Sequence, residues 1–140
     1  MLEKDALLSK ISIIKNCLHS IERATRGDPE TLDDFLVQDV FVLNVQRSVQ
    51  ACIDIAHIII AKNGWKLPAS YKESFQILLT QKVISHELAT IMMKMCGFRN
   101  ISVHEYQEIT PPILKTILIH HLKDFEQFYS AIFAYIQQES

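Results

Sequence analysis

Apolar residues recur every three or four positions along most of the chain, which is the period of an α-helix with one buried face. No stretch alternates apolar and polar residues in the manner of a strand. The first predicted helix has an apolar stripe formed by Leu7, Ile11, Ile14, Leu18 and Ile21. We expect it to end at the Arg26-Gly27-Asp28-Pro29 break, where Gly27 suits the left-handed position that follows a helix.

A second helix is predicted over about residues 32–62, ending at Asn63-Gly64. Its apolar stripe consists of Phe41, Val45, Val49, Cys52, Ala56 and Ile59. A second line on the same helix is polar and consists of Arg47, Gln50, Asp54 and His57. Two interpretations stay open: a polar face satisfied by solvent or by its own members, or the border of a functional cleft lined by Arg47 and Asp54.

Three further helices are predicted in the second half of the chain. Ser70 followed by Glu73 forms a capping box, which begins a short third helix. The fourth helix is expected to be interrupted at Gly97, and the last begins at Thr110-Pro111 and continues through Ile132. Five helices in 140 residues predict an all-α antiparallel bundle in a single domain that spans residues 1–140.

Charge, cysteine content and the lengths of the apolar stretches limit the classes of protein to which this chain can belong. The net charge of -2 does not indicate a nucleic-acid-binding protein, so any phosphate-binding surface must be a local cluster. Cys17, Cys52 and Cys96 are widely spaced in apolar helical contexts and predict buried thiols rather than disulfides or a zinc site. Without an apolar leader, and with the most apolar stretch limited to residues 53–61, the sequence predicts a soluble cytoplasmic protein.

Two kinds of ligand site receive little support from the sequence. No glycine-rich loop is present, which excludes a P-loop nucleotide hydrolase. His121 and Asp124 are three residues apart on a predicted helix, so we expect a hydrogen bond between them, with a metal site as the less favoured alternative. The prediction is therefore a protein without a bound metal.

Reactive side chains are most concentrated in residues 96–106. The Arg99 guanidinium matches the geometry of a phosphate, and His104 can transfer protons near neutral pH. Together they suffice for metal-independent attack of an RNA 2′-hydroxyl on the adjacent phosphate. Asn100 precedes His104 by four residues and is expected to orient its imidazole. Five residues on a helix separate Arg99 from His104 by about 140°. The two side chains would therefore diverge unless the backbone bends or a second protomer completes the site, and we expect a dimer that does so.

The stretch Phe98-Arg99-Asn100-Ile101-Ser102-Val103-His104-Glu105-Tyr106 resembles the RX4HXY motif of HepT-like toxins in the HEPN superfamily. Asp34-Phe35 followed by Asp39, together with residues 46–56, resembles the second helix of that family. Residues 67–75 resemble its connector and third helix. The resemblance implies a homodimeric endoribonuclease, the toxin component of a toxin-antitoxin system, which cleaves RNA in a cleft between protomers. It also implies an MntA-like minimal nucleotidyltransferase antitoxin as partner.

In that family the antitoxin transfers AMP from ATP onto the motif tyrosine, which here is Tyr106. The resemblance thus implies no cofactor in this chain, because the ATP is used by the partner. The alternative for Tyr106 is a structural role in which its hydroxyl finds a hydrogen-bond partner. A second function class also stays open, a non-catalytic subunit that binds nucleotide or substrate for the nucleotidyltransferase. The sequence leaves open whether the RNA is tRNA or mRNA.

Overall fold

The structure is a computed structural model that describes residues 2–139, and all regular elements in that range are helical. Six α-helices follow one another: α1 Leu2–Thr25, α2 Phe35–Asn63, α3 Tyr71–Thr80, α4 His86–His104, α5 Pro111–His120 and α6 Leu122–Glu139. Short 3-10 helices span Pro29–Asp33 and Tyr106–Glu108. The predicted all-α bundle is confirmed.

Helices α1 and α2 form a long antiparallel hairpin. Near one end Lys10 Nζ lies 3.0 Å from Asp54 Oδ2, and farther along Ser48 lies beside the thiol of Cys17. Residue numbers therefore rise along α1 as they fall along α2. Gly27 has a φ of 72° and occupies the predicted left-handed position after α1.

Helix α2 begins three residues later than predicted. Pro29–Asp33 forms a 3-10 helix instead, and Asp34 then caps α2 by accepting hydrogen bonds from the backbone N–H groups of Leu36 and Val37 at 2.8 and 3.3 Å. An acidic cap at this position also interacts favourably with the positive end of the helix.

Two predictions about the second half of the chain are wrong. Helix α4 passes through Gly97 without a break, because one glycine in a helix costs only about 1 kcal/mol relative to alanine and packing of α4 overcomes this. The last predicted helix is divided at His121, whose Nδ1 lies 2.9 Å from the buried Asp124 Oδ2. The expected hydrogen bond between these two residues is thus confirmed, and it stands where the predicted helix is interrupted.

The core lies where all the long helices meet. Phe75 of α3 packs edge-to-face against Phe128 of α6, with ring centroids 5.8 Å apart, and both are fully buried. Cys17, Cys52 and Cys96 are free and buried, as predicted, and burial raises the pKa of each thiol. Within residues 2–139, no helix combines the length and apolar character needed to cross a membrane.

Candidate functional site

The C-terminal half of α4 is held against α2 by one buried residue. Ser102 is only 5% exposed, and its hydroxyl lies 3.1 Å from Gln46 Oε1 and 2.7 Å from the Arg99 carbonyl oxygen. Ser102 therefore faces α2 at this point of α4. Ile101 and Val103, on either side of Ser102, are consequently 41% and 42% exposed.

Arg99 is held in place by neighbours from α3 and α4. Its guanidinium carbon lies 5.2 Å from the centre of the Tyr71 ring, and its Nη1 donates a hydrogen bond to Asn100 Oδ1 at 3.2 Å. Its Nε is buried and has no hydrogen-bond partner in the described part of the chain. The planar guanidinium is thus partly preorganised, with most of its five N–H donors still available for an anion.

A second cation, Lys72, accompanies Arg99. Burial raises the pKa of the Cys96 thiol to about 11, and the charges of Lys72 and Arg99 both oppose that rise. Both cations therefore lie within electrostatic reach of one thiol, where α3 and α4 meet. The sequence pattern did not single out Tyr71 or Lys72, although both follow the predicted Ser70 cap and fall within the stretch that resembles the family's third helix.

His104 is the last residue of α4 and is exposed. Its ring makes no hydrogen bond or ion pair with any residue that the structure describes. Because α4 is continuous, Arg99 and His104 point about 140° apart, as expected from their spacing. The Asn100 amide contacts Arg99 instead of His104, so the predicted orienting hydrogen bond is not made within one chain.

Tyr106 lies just beyond the end of α4. Glu105 leaves the helical conformation, with φ −139° and ψ 54°, and Tyr106 begins the following 3-10 helix. Ser102 and Tyr106 therefore do not lie on one continuous helix, although they are only four residues apart. The Tyr106 hydroxyl instead donates a hydrogen bond of 2.5 Å to Asp39 Oδ1 on α2, while the residue stays 44% exposed. Partial burial, and then the hydrogen bond to Asp39, raise the pKa of Tyr106 to about 12.

The polar line on α2 is largely satisfied by its own members and by α1. Gln50 Nε2 donates to Asp54 Oδ1 at 2.9 Å, and Lys10 pairs with the same carboxylate. Arg47 and Asp54 line a cavity of about 190 Å³ between α1 and α2, and neither Arg99 nor His104 lines it. His57 differs: its Nε2 lies 2.9 Å from Ser74 Oγ, and its ring is 6.1 Å from that of Tyr71.

Comparison with known proteins identifies this arrangement. Residues 14–132, which include α2 to α5 and the whole motif, match the family described as "Ribonuclease HepT-like". The chain belongs to the HepT-like ribonuclease family. It is 39% identical over 128 residues to the mRNA nuclease HepT of Shewanella oneidensis, and the alignment covers 91% of this chain and 96% of that protein.

Two solved structures share the HepT-like fold closely. One is a toxin-antitoxin complex with AMP-PNP, and the other is a tri-AMPylated Shewanella oneidensis HEPN toxin in complex with its MNT antitoxin. Each is 40% identical, has a TM-score of 0.88, and is matched over 93% of this chain and 98% of the other. The predicted ribonuclease of the HepT-like toxin class is confirmed, and the non-catalytic alternative is set aside.

Proposed function

We propose that two copies of the chain form the active endoribonuclease, with Arg99 and His104 of both protomers lining a shared cleft. The observation that carries this proposal is the divergence of the two side chains on one continuous helix. A two-fold axis beside the end of α4 would bring the His104 ring of one protomer towards the Arg99 guanidinium of the other. The exposed position of His104, without a partner in the described chain, fits a ring that finds its partners across the interface.

The chemistry needs only these groups. The ribose 2′-oxygen attacks the adjacent phosphorus while His104 takes the hydroxyl proton, and the bond to the 5′-oxygen breaks as that oxygen receives a proton. A dimer supplies two copies of His104, one for each proton transfer. Arg99 stabilises the charge that develops on the phosphate oxygens. The products are a 2′,3′-cyclic phosphate and a free 5′-hydroxyl, with no metal needed, and Asn100 supports the site by holding Arg99.

Exposed apolar side chains around the motif support the dimer. Leu43 is 42% exposed on α2, between Asp39 and Gln46 on the helix face that meets α4, and Ile101 and Val103 flank the same region. Apolar surface of this kind beside a polar site is typical of an interface. Isologous packing of the same face in both protomers is also the commonest form of oligomer.

We expect the wild-type protein to sediment as a dimer, and Leu43→Asp to shift it towards monomer with a parallel loss of RNA cleavage. The physical reason is that a carboxylate on this face would be desolvated without a partner. Ile119→Asp, at another exposed apolar position on α5 (57% exposed), is the control and should stay dimeric. A monomeric wild type with full activity at micromolar concentration would refute the shared cleft.

The second half of the proposal concerns regulation. We infer that a nucleotidyltransferase antitoxin, as seen with the structural relatives, transfers AMP from ATP onto Tyr106 and thereby silences the ribonuclease in the cytoplasm. Tyr106 is exposed and lies two residues after His104, so a phosphate added there would repel an RNA backbone and could pair with Arg99. Because the Shewanella relative is named an mRNA nuclease, mRNA is the favoured substrate, with tRNA as the alternative.

Replacing Tyr106 with phenylalanine should abolish this modification while leaving the fold intact, because the exposed Asp39 carboxylate is the only hydrogen-bond partner of the hydroxyl within residues 2–139. Intact-mass spectrometry after incubation with the nucleotidyltransferase and ATP-Mg²⁺ should show added AMP on the wild type and none on Tyr106→Phe. Tyr129→Phe, a half-buried tyrosine on α6, is the control and should be modified normally. Equal AMP addition to Tyr106→Phe would place the modification elsewhere.

A further inference from the structure

The hydrogen bond between Tyr106 and Asp39 is not used in the cleavage chemistry proposed above. It joins residues 67 positions apart, links the 3-10 helix after α4 to the first part of α2, and is 2.5 Å long. Both residues are exposed, so the contact is not a means of satisfying a buried polar group. Its acceptor is a carboxylate, and its donor is the oxygen on which the proposed AMP transfer takes place.

We propose that Asp39 is a catalytic residue for the modification of Tyr106, holding the phenol in position and accepting its proton during AMP transfer. This inference rests on the proposed function, in which Tyr106 is the AMP acceptor. Tyr106 Oη attacks the α-phosphorus of ATP held by the nucleotidyltransferase. The Oη–Pα bond forms, the bond from Pα to the pyrophosphate oxygen breaks, and pyrophosphate leaves with that electron pair. The phenol proton passes to the Asp39 carboxylate and then to water.

The state of the phenol explains why a proton acceptor is needed. With a pKa of about 12, only about one Tyr106 in 10⁵ is ionised at pH 7. Attack by a phenolate formed beforehand is therefore slow, and the proton has to leave as the new bond forms. A general base within hydrogen-bond reach of the nucleophile supplies this route, and Asp39 is at that distance.

The other charged groups near Tyr106 do not contact its hydroxyl. Glu105 and Glu108 lie on either side of it in the chain and are exposed, and His104 ends the helix before it. Among the described residues, only Asp39 hydrogen-bonds the Tyr106 hydroxyl. The chain modified by the antitoxin thus contributes part of the active site for its own modification.

The test is the rate of the first AMP addition, followed by intact mass with the nucleotidyltransferase, ATP and Mg²⁺, over a range of pH. Asp39→Asn, which can still accept a hydrogen bond but not a proton, should slow this step by on the order of 10²-fold near pH 7. The rate of the Asp39→Asn variant should rise about tenfold per pH unit, because its reaction depends on phenolate formed before the attack. Glu108→Gln removes the same charge from the 3-10 helix that contains Tyr106 and is the matched control. We expect this variant to keep the wild-type rate and pH profile.

A second measurement needs no partner. The Tyr106 phenol can be titrated by ultraviolet difference between each protein and its Tyr106→Phe counterpart, and Asp39→Asn should lower its pKa from the wild-type value. Wild-type rate and pH profile in Asp39→Asn would overturn the inference, and so would an unchanged phenol pKa. Normal AMP addition to Tyr106→Phe would instead refute the proposed function. Loss of modification in Tyr106→Phe but not in Asp39→Asn would refute the role of Asp39 alone.

Discussion

Replacing His104 with alanine is expected to lower the rate of RNA cleavage by ~10²–10⁴-fold, the usual contribution of a general acid or base. The ring is exposed at the last position of α4 and makes no hydrogen bond or ion pair with the described residues. Its removal therefore leaves no buried group unpaired, and the free energy of unfolding should hardly change. The loss should be one of kcat, since proton transfer contributes to the chemical step.

The measurement is cleavage of a defined RNA in buffer containing a chelator, with the products analysed for a 2′,3′-cyclic phosphate. His19→Ala, at another exposed histidine but on α1, serves as the control for a change of surface imidazole. Mixing wild-type protomers with His104→Ala protomers tests the shared cleft as well, because each heterodimer would hold one intact histidine. Undiminished cleavage by His104→Ala would show that the chemistry takes place elsewhere.

Replacing Arg99 with alanine should cost on the order of 3 kcal/mol of transition-state stabilisation, or roughly 10²-fold in kcat. The contacts of Arg99 explain why this position needs arginine in particular. The guanidinium is placed over the Tyr71 ring and hydrogen-bonded to Asn100, so its planar fork is oriented before RNA binds. Arg99→Lys keeps the charge but loses the fork, and we expect it to recover only a small part of the activity.

Arg23→Ala, an exposed arginine on α1, controls for the loss of one positive charge in a protein whose net charge is -2. Single-turnover cleavage at saturating RNA separates the chemical step from RNA binding. The separation is needed because each phosphate contact that is removed lowers the affinity for RNA. A defect in Arg99→Ala that disappears at saturating RNA would assign this residue to binding alone. Full recovery by lysine would show that charge, and not geometry, is what matters at this position.

The fold was predictable because it depends on local patterns. Leu7, Ile11, Ile14 and Ile21 are all buried as the helical period requires, and Gly27 and Ser70 occupy the turn and cap that their chemistry favours. The errors arose where tertiary contacts outweigh local preference. Gly97 stays helical in a packed helix, and the hydrogen bond of His121 to the buried Asp124 accompanies an interruption of the helix that no proline or glycine marks.

The site was predictable only as a motif. The sequence places Arg99, His104 and Tyr106 close together along the chain, but their partners come from other helices: Tyr71 from α3, and Gln46 and Asp39 from α2. Contacts between residues more than twenty positions apart leave no periodic signal in a single sequence. Helical spacing also failed beyond His104, because α4 ends there and Tyr106 follows a different backbone path.

The hydrogen bond between Tyr106 and Asp39 also separates two chemical states of the protein. A phenol that carries AMP has no hydrogen left to donate, and its new phosphate bears a negative charge that the Asp39 carboxylate repels. The contact at 2.5 Å can therefore exist only before modification. The first AMP added to Tyr106 replaces an attraction to α2 with a repulsion from it, so the modified side chain has to leave the place where it was held. The Asp39 carboxylate that holds the unmodified Tyr106 thus disfavours the return of this side chain once it carries AMP.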